Sequence, residues 1–134
     1  MSDSRRIATD FFNKLCSGDF PGGFASMSDD ATWSLIGTTR YSRTFNKEGM
    51  LNELVPMLST FVEPPQMHVK EVIADGDRAV VIADVVGVGP TGPYKQDPYC
   101  FVLRIRDGKV AEIVEFLDTV AVEQAICGNK IVPQ

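Results

Sequence analysis

The spacing of apolar residues changes from a helical period to a strand period near residue 62, and this change divides the chain in two. In the first half, apolar side chains recur three and four positions apart, which places them on one face of a helix. The first such run consists of Ile7, Ala8, Phe11, Phe12 and Leu15. It predicts a helix over about residues 3–17. Asp19 is placed to cap a short second helix, and a third is predicted over about 47–61, with a kink at Pro56.

The second half of the chain alternates apolar and polar residues, as strands do. One short strand is also predicted in the first half, at about 32–36, and a polar loop, TTRYSRTFN, follows it. Four successive strands are predicted in MHVKEVIA, RAVVIADVVGV, YCFVLRIR and KVAEIVEFL. DGD and DG are typical of tight hairpin turns, GPTGPYKQDP is expected to be a longer loop, and a short helix over about 120–127 follows. Helices followed by an antiparallel meander predict an α+β fold, with residues 1–134 forming one domain.

A carboxylate interrupts the most apolar of these strands. Asp84 shares one face of the strand with Val80, Ile82, Val86 and Val88. An unpaired charge buried among such residues costs several kcal/mol or more. Asp84 is therefore either solvated or paired with a nearby donor, or it faces a pocket. Burial near a second carboxylate would raise its pKa toward neutrality, which a general acid or base requires.

The register of the last hairpin decides where a second carboxylate, Glu115, faces. A three-residue loop at 106–108 points Glu115 into the core beside the hydroxyl of Tyr99. A two-residue loop slips the pairing by one residue and mixes the two faces. We expect the three-residue loop, because it makes one face almost wholly apolar and sets Arg104 near Glu112 on the other.

The opposite face of the same hairpin also carries apolar side chains, namely Val102, Val114 and Phe116. A curved sheet that helices cover on one side leaves the other side available for a partner. We therefore expect a homodimer through this outer face of the sheet.

Charge and composition exclude several classes of function. The net charge is −5 and the longest basic run is Arg5-Arg6, which argues against nucleic acid or an anionic membrane as partner. No apolar run approaches the roughly 20 residues of a membrane helix. A single histidine, His68, and three scattered cysteines argue against a zinc site and for a reducing cytoplasm without disulfides.

Three stretches resemble the nuclear-transport-factor-2-like (NTF2-like) superfamily, in particular its SnoaL-like and ketosteroid-isomerase-like branches. They are SDDATW after two helices, ADGDRAVV at the first long hairpin, and RIRDGKVAEIVEFLDT at the second. The resemblance implies a cone-shaped, curved sheet around a deep apolar pocket and, usually, a homodimer. It does not imply one reaction, since this fold hosts isomerases, cyclases, epoxide hydrolases, dehydratases and non-catalytic members.

The ketosteroid-isomerase branch uses an Asp base, a Tyr donor and a protonated Asp. The matching positions here hold Leu35, Phe11 and Phe101. All three polar groups are missing, which argues against steroid isomerisation by that mechanism.

The limonene-epoxide-hydrolase-like branch matches in part. Its third-strand Asp corresponds to Asp84 and its last-strand carboxylate to Glu115, whereas Ile82 replaces its Arg. Its Tyr and Asn on the first strand become Trp33 and Leu35. SnoaL-like polyketide cyclases use a pocket carboxylate as acid or base without a cofactor, a role open to Asp84, Glu115 or Asp118.

Together these observations lead to two functional hypotheses. The first is cofactor-independent acid–base chemistry by Asp84 and Glu115 on a small apolar or polycyclic molecule, as in an isomerase, cyclase or epoxide hydrolase. The second is a non-catalytic dimer that binds a hydrophobic ligand. Six residues are expected to contact the ligand in either case: Trp33, Leu35, Tyr99, Phe101, Ile113 and Leu117.

Overall fold

The helices of the first half lie close to where the apolar spacing places them. A computed structural model describes residues 3–134, so the first two residues of the predicted domain lie outside it. Helix α1 spans Ser4–Cys16 and α2 spans Phe20–Ala25. The side chain of Asp19 caps α2 by accepting a hydrogen bond from the backbone N–H of Gly22 at 3.0 Å.

The third predicted helix consists of three joined segments. They are α3 (Lys47–Gly49), a π-helical turn (Met50–Leu54) and α4 (Val55–Ser59). Pro56 has no N–H to donate, and the wider π-helical turn directly precedes α4, in whose first turn it lies. The irregularity expected at this proline is therefore present as a π-helical turn within a continuous helical stretch.

Six strands form a single curved sheet that is not closed into a barrel. They are β1 (Thr32–Leu35), β2 (Thr44–Asn46), β3 (Glu63–Asp75), β4 (Arg78–Gly89), β5 (Gly92–Arg106) and β6 (Lys109–Phe116), and α5 (Thr119–Ala125) follows. The order is β2-β1-β6-β5-β4-β3, with β1 parallel to β6 and the other pairs antiparallel. The α+β class and the four-strand meander are confirmed. The polar loop was predicted without β2, and β5 begins at Gly92, where a long loop was expected.

The inner face of β4 is the one that carries small side chains, which corrects the expected facing of this strand. Ala79, Val81, Ala83 and Val85 are buried on the inner face. Val80, Ile82, Asp84, Val86 and Val88 point to the outer face. Near the end of the strand, neighbouring backbone comes very close to its inner face. A Cβ added at Gly89 would lie 2.3 Å from the carbonyl oxygen of Ala125 in α5.

The side chains of the last hairpin face as expected, but the loop of the hairpin differs from the predicted one. Arg106 pairs with Lys109, so the loop has two residues and not three, and Asp107 and Gly108 have φ angles of 52° and 74°. These left-handed values are typical of the type I′ turn. A bulge next to Ile105 then restores the register.

The bulge has a direct consequence for both faces of the hairpin. Phe101 lies opposite Glu115 on the inner face. On the outer face, Arg104 Nε donates to Glu112 Oε2 at 2.8 Å. The inward facing of Glu115 and the Arg104–Glu112 pair are confirmed, whereas the three-residue loop was wrong.

Candidate functional site

A cavity lies between the inner face of the sheet, the helical stretch 47–59 and α5. Its atom-free space is about 770 Å³, including the part that opens to solvent. Aromatic rings form much of its wall, among them Phe20, Phe24, Trp33, Phe61 and Phe101. Leu54, Met57 and Val122 contribute aliphatic surface from the helices. Such a wall favours an apolar, ring-bearing ligand.

Few polar groups interrupt this apolar surface. Among the described residues that line the cavity, Glu115 is the only carboxylate, and none is a lysine, arginine or histidine. The remaining polar groups are the indole N–H of Trp33 and the hydroxyls of Tyr41, Tyr94 and Tyr99. Within residues 3–134 there is no group of three potential metal-ligating side chains.

Glu115 lies on the inner face of β6, and its surroundings determine its pKa. The indole Nε1–H of Trp33, on the adjacent strand β1, donates to Glu115 Oε1 at 2.8 Å. Burial raises the pKa of Glu115 to about 7, and the hydrogen bond from Trp33 opposes this rise only in part. Near neutral pH the carboxyl group is therefore present in both protonation states.

The two inner tyrosines of β5 are close enough to Glu115 to be affected by its charge. Burial raises the pKa of Tyr99 well above its ordinary value, and the nearby carboxylate of Glu115 raises it further. The pKa of Tyr94 is raised by the same two causes. Both phenols are therefore hydrogen-bond donors over the whole physiological pH range. Among residues 3–134, no group hydrogen-bonds to the Tyr99 hydroxyl.

Asp84 does not lie in the cavity, so the expected convergence of two carboxylates is wrong. It lies on the outer face of β4, where Asp84 Oδ1 is 3.1 Å from His68 Nδ1 and Oδ2 is 3.6 Å from Lys70 Nζ. About a quarter of its side chain is exposed. The carboxylate within the apolar file is thus paired with donors from β3 and partly solvated, the alternative that the sequence left open.

The structure places the remaining predicted residues as follows. Trp33, Leu35, Tyr99, Phe101 and Leu117 line the cavity, and a role in ligand binding stays a prediction for each. Ile113 is fully buried on the inner face but does not contribute to the wall, so it is a core residue in this structure.

Asp118 has a structural position. Its carboxylate accepts hydrogen bonds from the backbone N–H groups of Val120 and Ala121 at the start of α5. Asp118 is thus the N-cap of this helix, as its place before Thr119 in the sequence suggests.

Sequence reasoning missed two residues of β5, Tyr94 and Gln96. The side-chain amide of Gln96 is 1% exposed. Its Oε1 accepts from the backbone N–H of Asp118 at 2.7 Å, and its Nε2 donates to the carbonyl oxygen of Asp118 at 2.9 Å and to the Tyr94 hydroxyl at 3.1 Å. Their two-residue spacing was a signal for a strand, but two prolines, Pro93 and Pro98, concealed it.

The SnoaL-like domain family matches residues 8–113, which is most of the chain and all of the sheet up to the middle of β6. The chain belongs to the SnoaL-like family. No curated protein sequence matches it significantly.

The fold of this SnoaL-like protein is shared by solved structures of low sequence identity. An NTF2-like protein from Burkholderia thailandensis is 18% identical with a TM-score of 0.81, over 93% of this chain and 98% of that one. TerC, co-crystallised with polyporic acid, is 21% identical with a TM-score of 0.77, again over 93% and 98%. A protein from Jannaschia sp. CCS1, described as a candidate SnoaL-like polyketide cyclase, is 18% identical with a TM-score of 0.72, over 97% of this chain and 98% of that one.

The likeness to these three structures supports the fold, and the site must be argued from this chain's own residues. In the part of the chain that the structure describes, no helix has the length and apolar character needed to cross a bilayer.

Proposed function

We propose that this SnoaL-like protein is a cofactor-independent acid–base enzyme in which Glu115 alone transfers the proton. The observation that carries this proposal is the position of Glu115: it is enclosed by apolar and aromatic side chains and held through one oxygen by Trp33. Its pKa of about 7 suits both removal and return of a proton at neutral pH.

The geometry favours proton transfer at carbon over epoxide opening. Ionised Glu115 takes a proton from the carbon next to a substrate carbonyl, and the resulting carboxylic acid returns it at another position. Trp33 holds Oε1 and leaves Oε2 for this exchange. The partial match to limonene-epoxide-hydrolase-like proteins loses its support, because Ile82 and Asp84 both lie on the outer face. Isomerisation and cyclisation remain the reaction types supported best.

The lining of the cavity indicates the class of substrate. Rings pack well against the aromatic wall, and a carboxylate-bearing substrate would meet Glu115 with no cation in the described lining to neutralise either group. We therefore expect a neutral ring ketone or a related polycyclic carbonyl compound. The similarity to the polyketide cyclase and to TerC agrees with such a substrate.

The first prediction tests Glu115 without knowledge of the natural product. The protein is incubated in D₂O with a panel of small ring ketones, such as 1-indanone and 2-tetralone, and exchange of the protons next to the carbonyl is followed by NMR. We expect exchange above background, and a loss of about a hundredfold in Glu115→Gln, as is usual when a general base is removed. Asp84→Asn makes the same chemical change on the outer face and should leave the rate unchanged.

Equal exchange rates for Glu115→Gln and the unmutated protein would overturn the assignment of Glu115. The second candidate function is ligand binding without turnover. The single carboxylate in the cavity lining favours it, since the paired acids of the epoxide-hydrolase-like branch are not brought together. If no ketone of the panel exchanges although apolar ring compounds bind, the protein is a binding module.

We also propose that the protein is a homodimer through its outer sheet face. This face carries Val102, Val114 and Phe116 on neighbouring strands, and Phe116 is 46% exposed. Its two ends each bear both signs of charge: Arg104 with Asp77 and Glu112 at one end, and Lys70 with Asp84 and Asp97 at the other. A second copy related by a two-fold axis therefore meets opposite charges around an apolar centre. Three free cysteines agree with a cytoplasmic location.

A further inference from the structure

The hydrogen bonds around Gln96 determine which way the Tyr94 hydroxyl points its proton. The backbone of Asp118 fixes the orientation of the Gln96 amide, because an N–H can only donate and a carbonyl oxygen can only accept. The amide oxygen therefore faces the Asp118 N–H at 2.7 Å, and the amide nitrogen faces the Asp118 carbonyl oxygen at 2.9 Å. The second hydrogen on Gln96 Nε2 is left for the Tyr94 oxygen at 3.1 Å.

Tyr94 must therefore donate its own proton elsewhere. Its oxygen is an acceptor in the bond from Gln96, so its O–H points away from the amide. Tyr94 is 7% exposed and lines the cavity, and its ring is nearly perpendicular to that of Phe61. In the described part of the chain, no protein group accepts the hydrogen bond from Tyr94. Because Tyr94 lines the cavity, this donor is available to a ligand bound there.

Tyr99 provides a second donor in the same wall. It lines the cavity, it is 6% exposed, and among residues 3–134 nothing hydrogen-bonds to its hydroxyl. This hydroxyl is not a fully buried orphan, so it keeps access to the cavity space. Two phenol donors without protein acceptors in an apolar cavity are available to an acceptor atom of a ligand.

We propose that the hydroxyls of Tyr94 and Tyr99 form an oxygen-binding subsite for the carbonyl or enolate oxygen of a neutral ring compound, and that Gln96 is the positioning residue for Tyr94. This inference rests on the proposed function, because it assigns the carbonyl end of the substrate to these two phenols and the neighbouring carbon to Glu115. Donors arranged in this way stabilise the negative charge that develops on the oxygen when the carbon loses its proton.

A pair of probes isolates the contribution of the oxygen. 9-Fluorenone and fluorene share their ring system, but only fluorenone carries a carbonyl group, and it has no hydrogen on the adjacent carbons to exchange. Its binding is thus independent of any activity of Glu115. Affinities are measured at pH 8.5, where Glu115 is mainly ionised and does not donate. We expect fluorenone to bind about tenfold more tightly than fluorene, the effect of a good hydrogen bond.

Three variants test the individual donors. Tyr94→Phe and Tyr99→Phe should each reduce the preference for fluorenone several-fold and leave the affinity for fluorene unchanged. The infrared carbonyl stretch of bound fluorenone should move to higher wavenumber in both variants. Tyr41→Phe is the matched control: the Tyr41 ring also lines the cavity, but its hydroxyl accepts an exposed hydrogen bond from Arg40 at 3.4 Å, where water can take its proton. The Tyr41 variant should keep both the preference and the infrared band.

Gln96→Glu tests the positioning role. In this variant a carboxylate oxygen, which accepts, replaces the amide nitrogen that donates to Tyr94. The Tyr94 proton should then point to this oxygen and no longer into the cavity. We expect the infrared band to shift as in Tyr94→Phe although Tyr94 is still present. A purely structural role of Gln96 would lower the stability of the fold and leave the band of the folded protein unmoved.

The possible outcomes separate this proposal from the proposed function. Equal affinities of the unmutated protein for the two probes overturn the oxygen subsite alone. An unchanged preference and band in Tyr94→Phe overturn the role of Tyr94 and that of Gln96 with it. Failure of both probes to bind would overturn ligand binding in the cavity, and both proposals with it.

Discussion

At the scale of single residues, Asp84 and Glu115 show how surroundings give two mid-strand carboxylates different chemistry. Asp84 lies between His68 and Lys70 on a face reached by solvent. Glu115 has one hydrogen-bond donor, Trp33, and an apolar cavity around it. Burial without a cation favours the protonated form, which is why the pKa of Glu115 rises to about 7.

The raised pKa of Glu115 predicts a dependence of stability on pH. Because the folded protein holds this proton more tightly than the unfolded chain, the stabilisation is fully present below the ordinary pKa of 4.5 and is lost as the pH rises through about 7. The pKa rises from 4.5 to about 7, and each pKa unit corresponds to about 1.4 kcal/mol, so the loss of stability is about 3 kcal/mol. Glu115→Gln removes this dependence, so it should unfold at higher urea concentration than the unmutated protein at pH 8.

Urea unfolding at pH 5 and pH 8 measures this effect, with Glu112→Gln as control. Glu112 is exposed on the same strand and pairs with Arg104. The control should show no such gain at pH 8. A free energy of unfolding of Glu115→Gln that stays below that of the unmutated protein at pH 8 would contradict a desolvated Glu115.

The candidate site was predictable from the sequence only in part. Strand alternation placed Glu115, Tyr99 and Phe101 on one face, but the predicted facing relied on a three-residue loop, and the structure reaches it through a two-residue loop and a bulge. The position of Asp84 did not follow from the sequence, because alternation separates the two faces of a strand without telling which one is buried. On β4, the larger Val and Ile side chains suggested the wrong face.

At the scale of secondary-structure elements, α5 comes very close to the end of β4. The Ala125 carbonyl oxygen of α5 approaches Gly89 so closely that no side chain fits between them. A larger residue at position 89 would therefore displace α5 or the end of the strand.

Gly89→Ala tests this close approach. Since the new Cβ would lie 2.3 Å from a backbone oxygen, α5 or the strand end has to move, and overpacking of this kind costs about 1–3 kcal/mol. Val86→Ala on the same strand removes half-exposed side-chain atoms from the outer face and should cost much less. Urea unfolding compares the two, and an equal loss of stability in both would contradict the packing argument.

A bulge between β4 and β5 brings Gln96 to the same face as Tyr99. Ala83 pairs with Tyr99 and Val85 with Gln96, so Asp97 and Pro98 on β5 oppose Asp84 alone. The extra residue shifts the alternation, and Gln96 and Tyr99 both face inward although their spacing is odd. Simple alternation continued from Tyr99 would have pointed Gln96 outward.

At the scale of the whole molecule, the helices cover one face of the sheet and leave the other open. The outer face remains apolar at its centre, where Val102 and Val114 are half-buried and Phe116 is 46% exposed. A monomer gains nothing from this arrangement, whereas burial between two copies removes apolar area from water at roughly 25 cal/mol per Å². This is the physical basis of the proposed dimer.

Phe116→Lys should dissociate that dimer, because two buried ammonium groups would face each other across the two-fold axis. Val132→Lys is the control, since Val132 is 73% exposed in the tail beyond α5. Sedimentation velocity at micromolar concentration should give a dimer for the unmutated protein and the control, and a monomer for Phe116→Lys. A monomeric unmutated protein would rule out this interface.

The sequence by itself determined the class of fold and the order of its helices and four long strands, because helical and strand periods are local properties of the chain. The tertiary structure decided which face of β4 is buried, where the bulges shift the alternation, and that Gln96 reaches Asp118 from another element. These features depend on contacts between distant segments, and the local pattern of residues is compatible with either outcome until those segments pack.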